Sequence, residues 1–226
     1  MEPYQEIIGI IALTMGVGWA SGINLYAAIL VLGIGSSTGD ITLPEQLDVL
    51  QSPLVIGAAG IMYFIEFFVD KTPGADTGWD IMSTFVRIPA GALLAASAVG
   101  DVTPALEIAA GILGGGLAAT SHTTKAGSRA LINTSPEPVS NWTASITEDI
   151  VVLGGLWTAL HYPLVFLVGL FCFIILVIWL IPKIFRGIKA VYKKIKLFFS
   201  ADDKNNNIIE EIIPSHTNQL PEFDKK

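Results

Sequence analysis

Residues 7–39 carry no charged side chain, and neither do residues 150–182. A chain cannot wrap stretches this long around a water-facing domain without exposing them. About 20 mostly apolar residues make one helical crossing of a bilayer. Further uncharged runs cover 49–65, 88–100 and 108–124, the third run starting near Trp79 and including Arg87. Charged residues make up 15% of the chain and the mean hydropathy is +0.60, where a soluble domain carries about 25% charged residues. Inside a membrane the backbone must satisfy its own hydrogen bonds, which leaves helices for apolar runs like these. The expected fold is therefore all-α: a polytopic membrane helix bundle of about six spans.

The two longest runs need internal breaks. At about 1.5 Å per residue, 150–182 would reach roughly 50 Å, too far for one crossing. Tyr162 precedes Pro163 and is biased away from helix, so two crossings hinged at Pro163 are expected. The first run is punctuated by Gly16, Gly18, Gly22, Gly33 and Gly35. Residues 19–24 read as a break or a tight packing seam, giving either one long kinked span or two half-helices. One span with a break is the favoured form. Its start, with Glu2, Pro3 and Glu6, lacks the basic beginning and cleavage site of a signal peptide, so the segment is expected to stay in the mature protein.

The cations set an orientation. Lys71 follows the second run, Arg87 lies in the third, Lys125 and Arg129 follow the fourth, and the other nine lie after residue 182. Segments 36–52, 100–104 and 161–163 contain none. The positive-inside rule then places the C-terminus and the loops at 70–80 and 121–145 in the cytoplasm. The N-terminus is inside if the first run crosses once, and outside if it dips in and returns.

Several classes are excluded. A net charge of -7 opposes nucleic-acid binding, which needs a basic surface. One Cys and three His exclude a disulfide framework and a Cys-rich metal site. No phosphate loop, dinucleotide fingerprint or hydrolase motif is present, so no cofactor is expected and the balance leans away from an enzyme.

An internal repeat is visible. Residues 53–61 read P-L-V-I-G-A-A-G-I and residues 104–112 read P-A-L-E-I-A-A-G-I. The pair suggests two parallel helical hairpins, an arrangement that places a site between halves, although Ala, Gly and Ile are abundant enough here for coincidence. Gly18-x-x-x-Gly22 and Gly111-x-x-x-Gly115 are close-packing spacings.

Ionisable groups in a membrane cost on the order of 3 kcal/mol and usually face a partner or a cavity. Two clusters stand out. In the first, Glu66 and Asp70 share a helix face, as do Asp80, Thr84 and Arg87, with Lys71, Asp76 and Trp79 nearby. Arg87 needs a carboxylate, and Glu66 on the preceding helix is the candidate. The pair reads either as a structural lock or as part of a proton or ion site. If the pair is a lock, Asp70, Asp76 and Asp80 become caps or interfacial charges. In the second, His122, Lys125 and Arg129 form a cationic stripe suited to a phosphate or carboxylate, or to compensating a helix C-terminus. Asn141, Ser145 and Glu148 share a face on the next helix, with Asp149 beside them. Asn133 and Glu137 lie in the connecting loop, whose length marks it as a functional candidate.

The chain divides into a multipass domain (1–182), a basic amphipathic juxtamembrane helix (183–199) and a mobile polar cytoplasmic tail (200–226). Lys183, Arg186, Lys189, Lys193, Lys194 and Lys196 alternate with apolar residues, as expected of a helix near anionic lipid headgroups. The glycosylation patterns at Asn133 and Asn141 fall on the cytoplasmic side of this scheme and are discounted.

Ser21-Gly22-Ile23-Asn24-Leu25-Tyr26-Ala27, the run from Glu66 to Pro73 with Trp79-Asp80, Arg87-Ile88-Pro89-Ala90-Gly91-Ala92, and Ser135-Pro136-Glu137-Pro138 with Asn141, Ser145 and Glu148-Asp149 resemble the domain-of-unknown-function family 4126, bacterial multipass membrane proteins. The resemblance covers roughly residues 8–180, implies the inner membrane, and carries over no catalytic residue.

Three functions follow as expectations. The first is a small transporter or permeation protein. There Glu66, Asp70, Lys71, Asp80, Arg87, Asn141, Glu148 and Asp149 would line a polar site near the cytoplasmic leaflet for an ion, with His122, Lys125 and Arg129 meeting an anionic molecule or lipid headgroup. The second is a non-catalytic membrane scaffold or assembly partner whose charged loops dock another protein, the Gly-rich seams also suiting a homo-oligomer. The third is an intramembrane enzyme acting on lipid.

Overall fold

The computed structural model describes residues 3–72, 74–134 and 138–212, with side chains described throughout except at Pro3, Pro138 and 194–212. It is all-helical among those residues. The helices are α1 (Pro3–Thr38), a short 3-10 helix (Glu45–Gln51), α2 (Pro53–Val69), α3 (Ala75–Ala98), α4 (Pro104–Ile132), α5 (Pro138–His161) and α6 (Pro163–Ile212). Two compact units divide the chain, residues 1–185 and residues 186–226, and the site described below lies in the first. Helix α6 continues into the segment expected as a polar tail, as far as Ile212; residues 213–226 lie outside the described residues.

Three helical stretches are long and apolar enough to cross a membrane, Tyr4–Thr38, Ala75–Ala98 and Pro163–Lys193, and the 3-10 helix with α2 forms a fourth candidate bent by 66°. Helices α4 and α5 are long enough but more polar. Their polar residues are turned inward, as shown below, so their composition understates how apolar their outward faces are. Ile112, Leu113, Ile146, Ile150 and Trp157 are among the exposed side chains on those two helices.

The expected break in the first run falls at Asn24, whose backbone is extended (φ -148, ψ 94) inside an otherwise helical stretch. Asn24 Oδ1 accepts a hydrogen bond from the Ala27 amide at 3.0 Å. That is the N-cap geometry of a new helix, so α1 is two arms. The arms return to the same end of the bundle. Gln5 and Glu6 at the start of arm one line a cavity of about 860 Å³ with Thr42, Pro44 and the Tyr162-Pro163 turn. In arm two, Tyr26 and Ile29 line a groove with Leu54, Ala58 and Met62 of α2, and Gly33 backs onto Leu50 and Ile56. Arm two therefore runs back alongside α2 toward the beginning of that helix. The favoured single crossing is corrected: the first run dips in and returns. The reason is local, since the cap lets Asn24 stop one helix and start another without a loop.

Helix α1 is the centre of the bundle and packs against α2, α3, α4 and α5, while α3 and α4 share the largest interface. Ala12, Val17, Ala20, Ala28 and Leu32 are buried completely. Glycines make the close approach possible. A Cβ on Gly18 would stand 2.6 Å from the Cα of Gly114, and one on Gly22 would collide with Ser121 and the Ala118 carbonyl. Both small-residue motifs serve packing, Gly111 and Gly115 against Ala92 and Ala96 of α3.

The repeat is visible in local structure. Pro53 and Pro104 each stand in the first turn, behind extended Ser52 and Thr103, where a missing N–H costs nothing. The two hairpins are splayed, however, because α2 barely meets α3 and α4 barely meets α5. Helix α1 fills the space between them.

Candidate functional site

The tip of α1 meets the polar faces of the other helices. Arm one ends with free carbonyls and the negative end of its dipole. Ser121 Oγ donates to the Trp19 carbonyl at 2.8 Å, Arg87 Nη1 to Gly22 at 3.4 Å, and Lys125 Nζ to Ile23 at 3.2 Å. Asn24 Nδ2 donates to Asp149 Oδ1 at 3.0 Å, and Tyr63 lies close enough to Asp149 to feel its charge.

Around this tip lies a buried ion network. Arg87 Nη2 pairs with Glu66 Oε1 at 2.5 Å, and Nη1 reaches Asp80 Oδ1 at 3.5 Å. Lys125 Nζ lies 2.8 Å from Asp70, 3.4 Å from Glu66 and 3.5 Å from Glu148. Arg129 holds Glu148 with two parallel bonds, Nε at 3.1 Å and Nη2 at 2.8 Å, and its Nη1 donates to the carbonyls of Asp70 and Asn141. Glu66, Arg87 and Arg129 are each 0% exposed. Such charges survive burial only when paired and hydrogen-bonded.

His122 accepts from Arg87 Nη1 at Nδ1 (3.3 Å). That assigns the ring proton to Nε2, which faces the Asp80 carbonyl at 3.1 Å and the Thr84 hydroxyl at 2.7 Å. Lys71 donates to the Phe67 carbonyl and to Ser145 Oγ, with its ammonium 2.9 Å from the centre of the Phe67 ring.

Below the ion network, Asp76 is completely buried. Its Oδ1 accepts from the amides of Gly74 and Thr77, and both oxygens accept from Asn133 Nδ2. Asn141 Nδ2 in turn donates to Asn133 Oδ1 at 2.7 Å. The ends of α3, α4 and α5 are thereby tied together by one carboxylate and two amides.

All eleven residues singled out from the sequence converge on this region. Glu66 and Arg87 form the anticipated pair. Asp76 takes the cap-like role expected of it; Asp70 ends α2 as its C-cap residue while its side chain joins the network, and Asp80 faces the network. The cationic stripe of α4 is real, but Lys125 and Arg129 already hold carboxylates. Tyr63 stands one helical turn before Glu66 and is a residue that the spacing from that cluster could have marked. Asn24 was visible as part of a break and not as a ligand of Asp149. Among the described residues no group of three acidic, His or Cys side chains is arranged to hold a metal ion.

The model of a family described as Domain of unknown function (DUF4126) matches residues 11–183, and the chain belongs to that family. No curated protein and no solved structure matches it.

Proposed function

We propose that this member of the DUF4126 family is a small permease of the bacterial inner membrane, multipass, that passes a proton or small cation through the polar site at the tip of α1. The observation that carries the reading is the helix break. Broken helices at membrane depth are tolerated where their freed backbone groups line a polar site, and transporters build ion sites from such ends. Here the Gly22 and Ile23 carbonyls and the Asn24 amide face Arg87, Lys125 and Asp149.

The ligand class follows from which atoms are in use. Lys125 and Arg129 are engaged by carboxylates. The buried side-chain atoms without partners include the acceptors Glu66 Oε2, Asp70 Oδ1, Asp80 Oδ2 and Asn141 Oδ1. Among the described residues the buried N–H donors without partners are Trp19 Nε1, Trp79 Nε1 and Arg87 Nε; only Arg87 belongs to the ion network, where spare acceptors therefore outnumber spare donors and favour a proton or a cation over an anionic molecule. A docking role for the charged segment at 121–145 draws no support from His122, Lys125, Arg129 and Asn141, which are all buried. The absence of Lys and Arg from 36–52, 100–104 and 161–163 supports an orientation with the ion network toward the cytoplasm.

The test is proton flux into liposomes of the purified protein, loaded with a pH-sensitive dye and driven by a potassium diffusion potential. Flux above that of empty liposomes, lost in folded Asp149→Asn, is the expected result. Liposomes as tight as empty ones, with imposed gradients of protons, sodium and potassium alike, would overturn the reading.

A further inference from the structure

Charge arithmetic in the network points to one residue. Six carboxylates, Glu66, Asp70, Asp76, Asp80, Glu148 and Asp149, gather with four basic side chains, Lys71, Arg87, Lys125 and Arg129. Three of the cations have a first claimant. Arg87 is held by Glu66 at 2.5 Å, Lys125 by Asp70 at 2.8 Å and Arg129 by Glu148 at 2.8 Å. Lys71 instead donates to the Phe67 carbonyl and to Ser145 Oγ, and Asp149 accepts from Asn24 Nδ2 at 3.0 Å. Asp76 and Asp80 remain.

Their surroundings differ. Asp76 sits in the first turn of α3 and accepts from two backbone amides and from Asn133. Both oxygens of Asp76 therefore have donors. Asp80 is 1% exposed. One of its oxygens reaches only the far edge of Arg87, at 3.5 Å, and the other, Oδ2, has no partner. A buried anion without its own cation or donors is expensive, and a carboxyl in that position neutralises instead.

We propose that Asp80 is the proton-binding carboxyl of the network, with the proton on Oδ2. The groups that face it are Arg87 on its own helix, Lys125 and His122 on α4, Glu66 and Asp70 from α2, and Glu148 from α5. Protonation adds one O–H bond and removes one negative charge, with the proton drawn from water. Deprotonation leaves Asp80 and Glu66 to share the guanidinium of Arg87. A loaded and an unloaded state therefore differ in how Arg87 divides between two carboxylates, and Arg87 also holds the Gly22 carbonyl at the α1 tip. That this proton is the coupling species rests on the permease reading; its residence on Asp80 does not.

The experiment is infrared difference spectroscopy of the protein in lipid as pH is lowered, following the C=O stretch of protonated carboxyls, alongside thermal unfolding in detergent. Asp80→Asn mimics the neutral state. It is expected to remove a titrating carboxyl band that Asp76→Asn and Asp149→Asn keep, and to melt no lower than wild type. Asp80→Glu is expected to shift the band rather than remove it, which ties the signal to this position. The proposal is overturned if the band survives in folded Asp80→Asn. It is equally overturned if Asp80→Asn melts as low as Glu66→Gln, since that would make Asp80 an obligatory anion for Arg87. A titrating band in a protein that carries no flux would sink the permease reading and leave the proton site standing.

Discussion

Asn24 and Asp149, 125 positions apart in the chain, meet through one hydrogen bond of 3.0 Å at the tip of the doubled-back helix. The same Asn24 side chain caps the second arm through its oxygen. One amide thus fixes both the backbone reversal and the position of a carboxylate, and an aspartate or a serine at position 24 could perform only the first task.

That division can be separated by mutation. Asn24→Ala removes the cap and the bond to Asp149, and a lost cap costs about 0.5–2 kcal/mol. Asn24→Ser keeps a capping oxygen and loses only the amide donor. Thermal unfolding in detergent should rank wild type above Asn24→Ser and Asn24→Ser above Asn24→Ala. Equal melting of Asn24→Ala and wild type would mean that the reversal does not depend on the cap.

The return of α1 to its starting end is a topological statement. In a Cys172→Ser background, single cysteines at Tyr4, Ser37 and Tyr162 should react with a membrane-impermeant thiol reagent from one side. Cysteines at Thr77 and Thr134 should react from the other. Labelling of Tyr4→Cys and Ser37→Cys from opposite sides would restore a simple crossing.

Glu66 neutralises Arg87 and also lies 3.4 Å from Lys125. Glu66→Gln leaves a buried guanidinium without its main counter-charge, which costs about 3–5 kcal/mol. Adding Arg87→Gln should recover part of that loss, so the double variant should melt above the sum of the two single effects. Strict additivity would show that the two side chains do not act as a pair.

At the lower end, Asn133 donates to both oxygens of Asp76 and accepts from Asn141. Asn133→Ala leaves a completely buried carboxylate short of donors, a loss of about 1–3 kcal/mol. Asn133→Asp places a second carboxylate against the first and should unfold at a lower temperature still. If both variants melt like wild type, Asp76 is not the tie between α3, α4 and α5.

Packing at the α1–α4 seam leaves no room for a methyl group at Gly22, whereas a Cβ on Gly116 meets nothing within 4 Å. Gly22→Ala should lower stability by about 1–3 kcal/mol, the usual cost of overpacking. Gly116→Ala should be neutral or slightly stabilising, because alanine favours helix. The yield of monodisperse protein and its melting temperature measure both.

Much of this was legible because helical periodicity is a local property. Runs without charge marked the helices, Pro53 and Pro104 marked two of their starts, and i, i+4 spacing put Glu66 with Asp70, and Asp80 with Thr84, on common faces. Glu66–Arg87 could be anticipated because the two lie on consecutive helices joined by a short turn. What periodicity does not contain is which faces meet. Lys125 with Asp70, Arg129 with Glu148 and Asn24 with Asp149 join helices distant in the chain, and their pairing depends on how closely the glycine seams let α1 approach α4. The reversal of α1 was equally out of reach from sequence. Asn24 is compatible with a continuous helix, and whether it continues or caps is decided by the cations that receive the freed carbonyls and by the carboxylate that receives its amide. Sequence alone determined which residues must avoid lipid; the tertiary structure decided which of them neutralise one another.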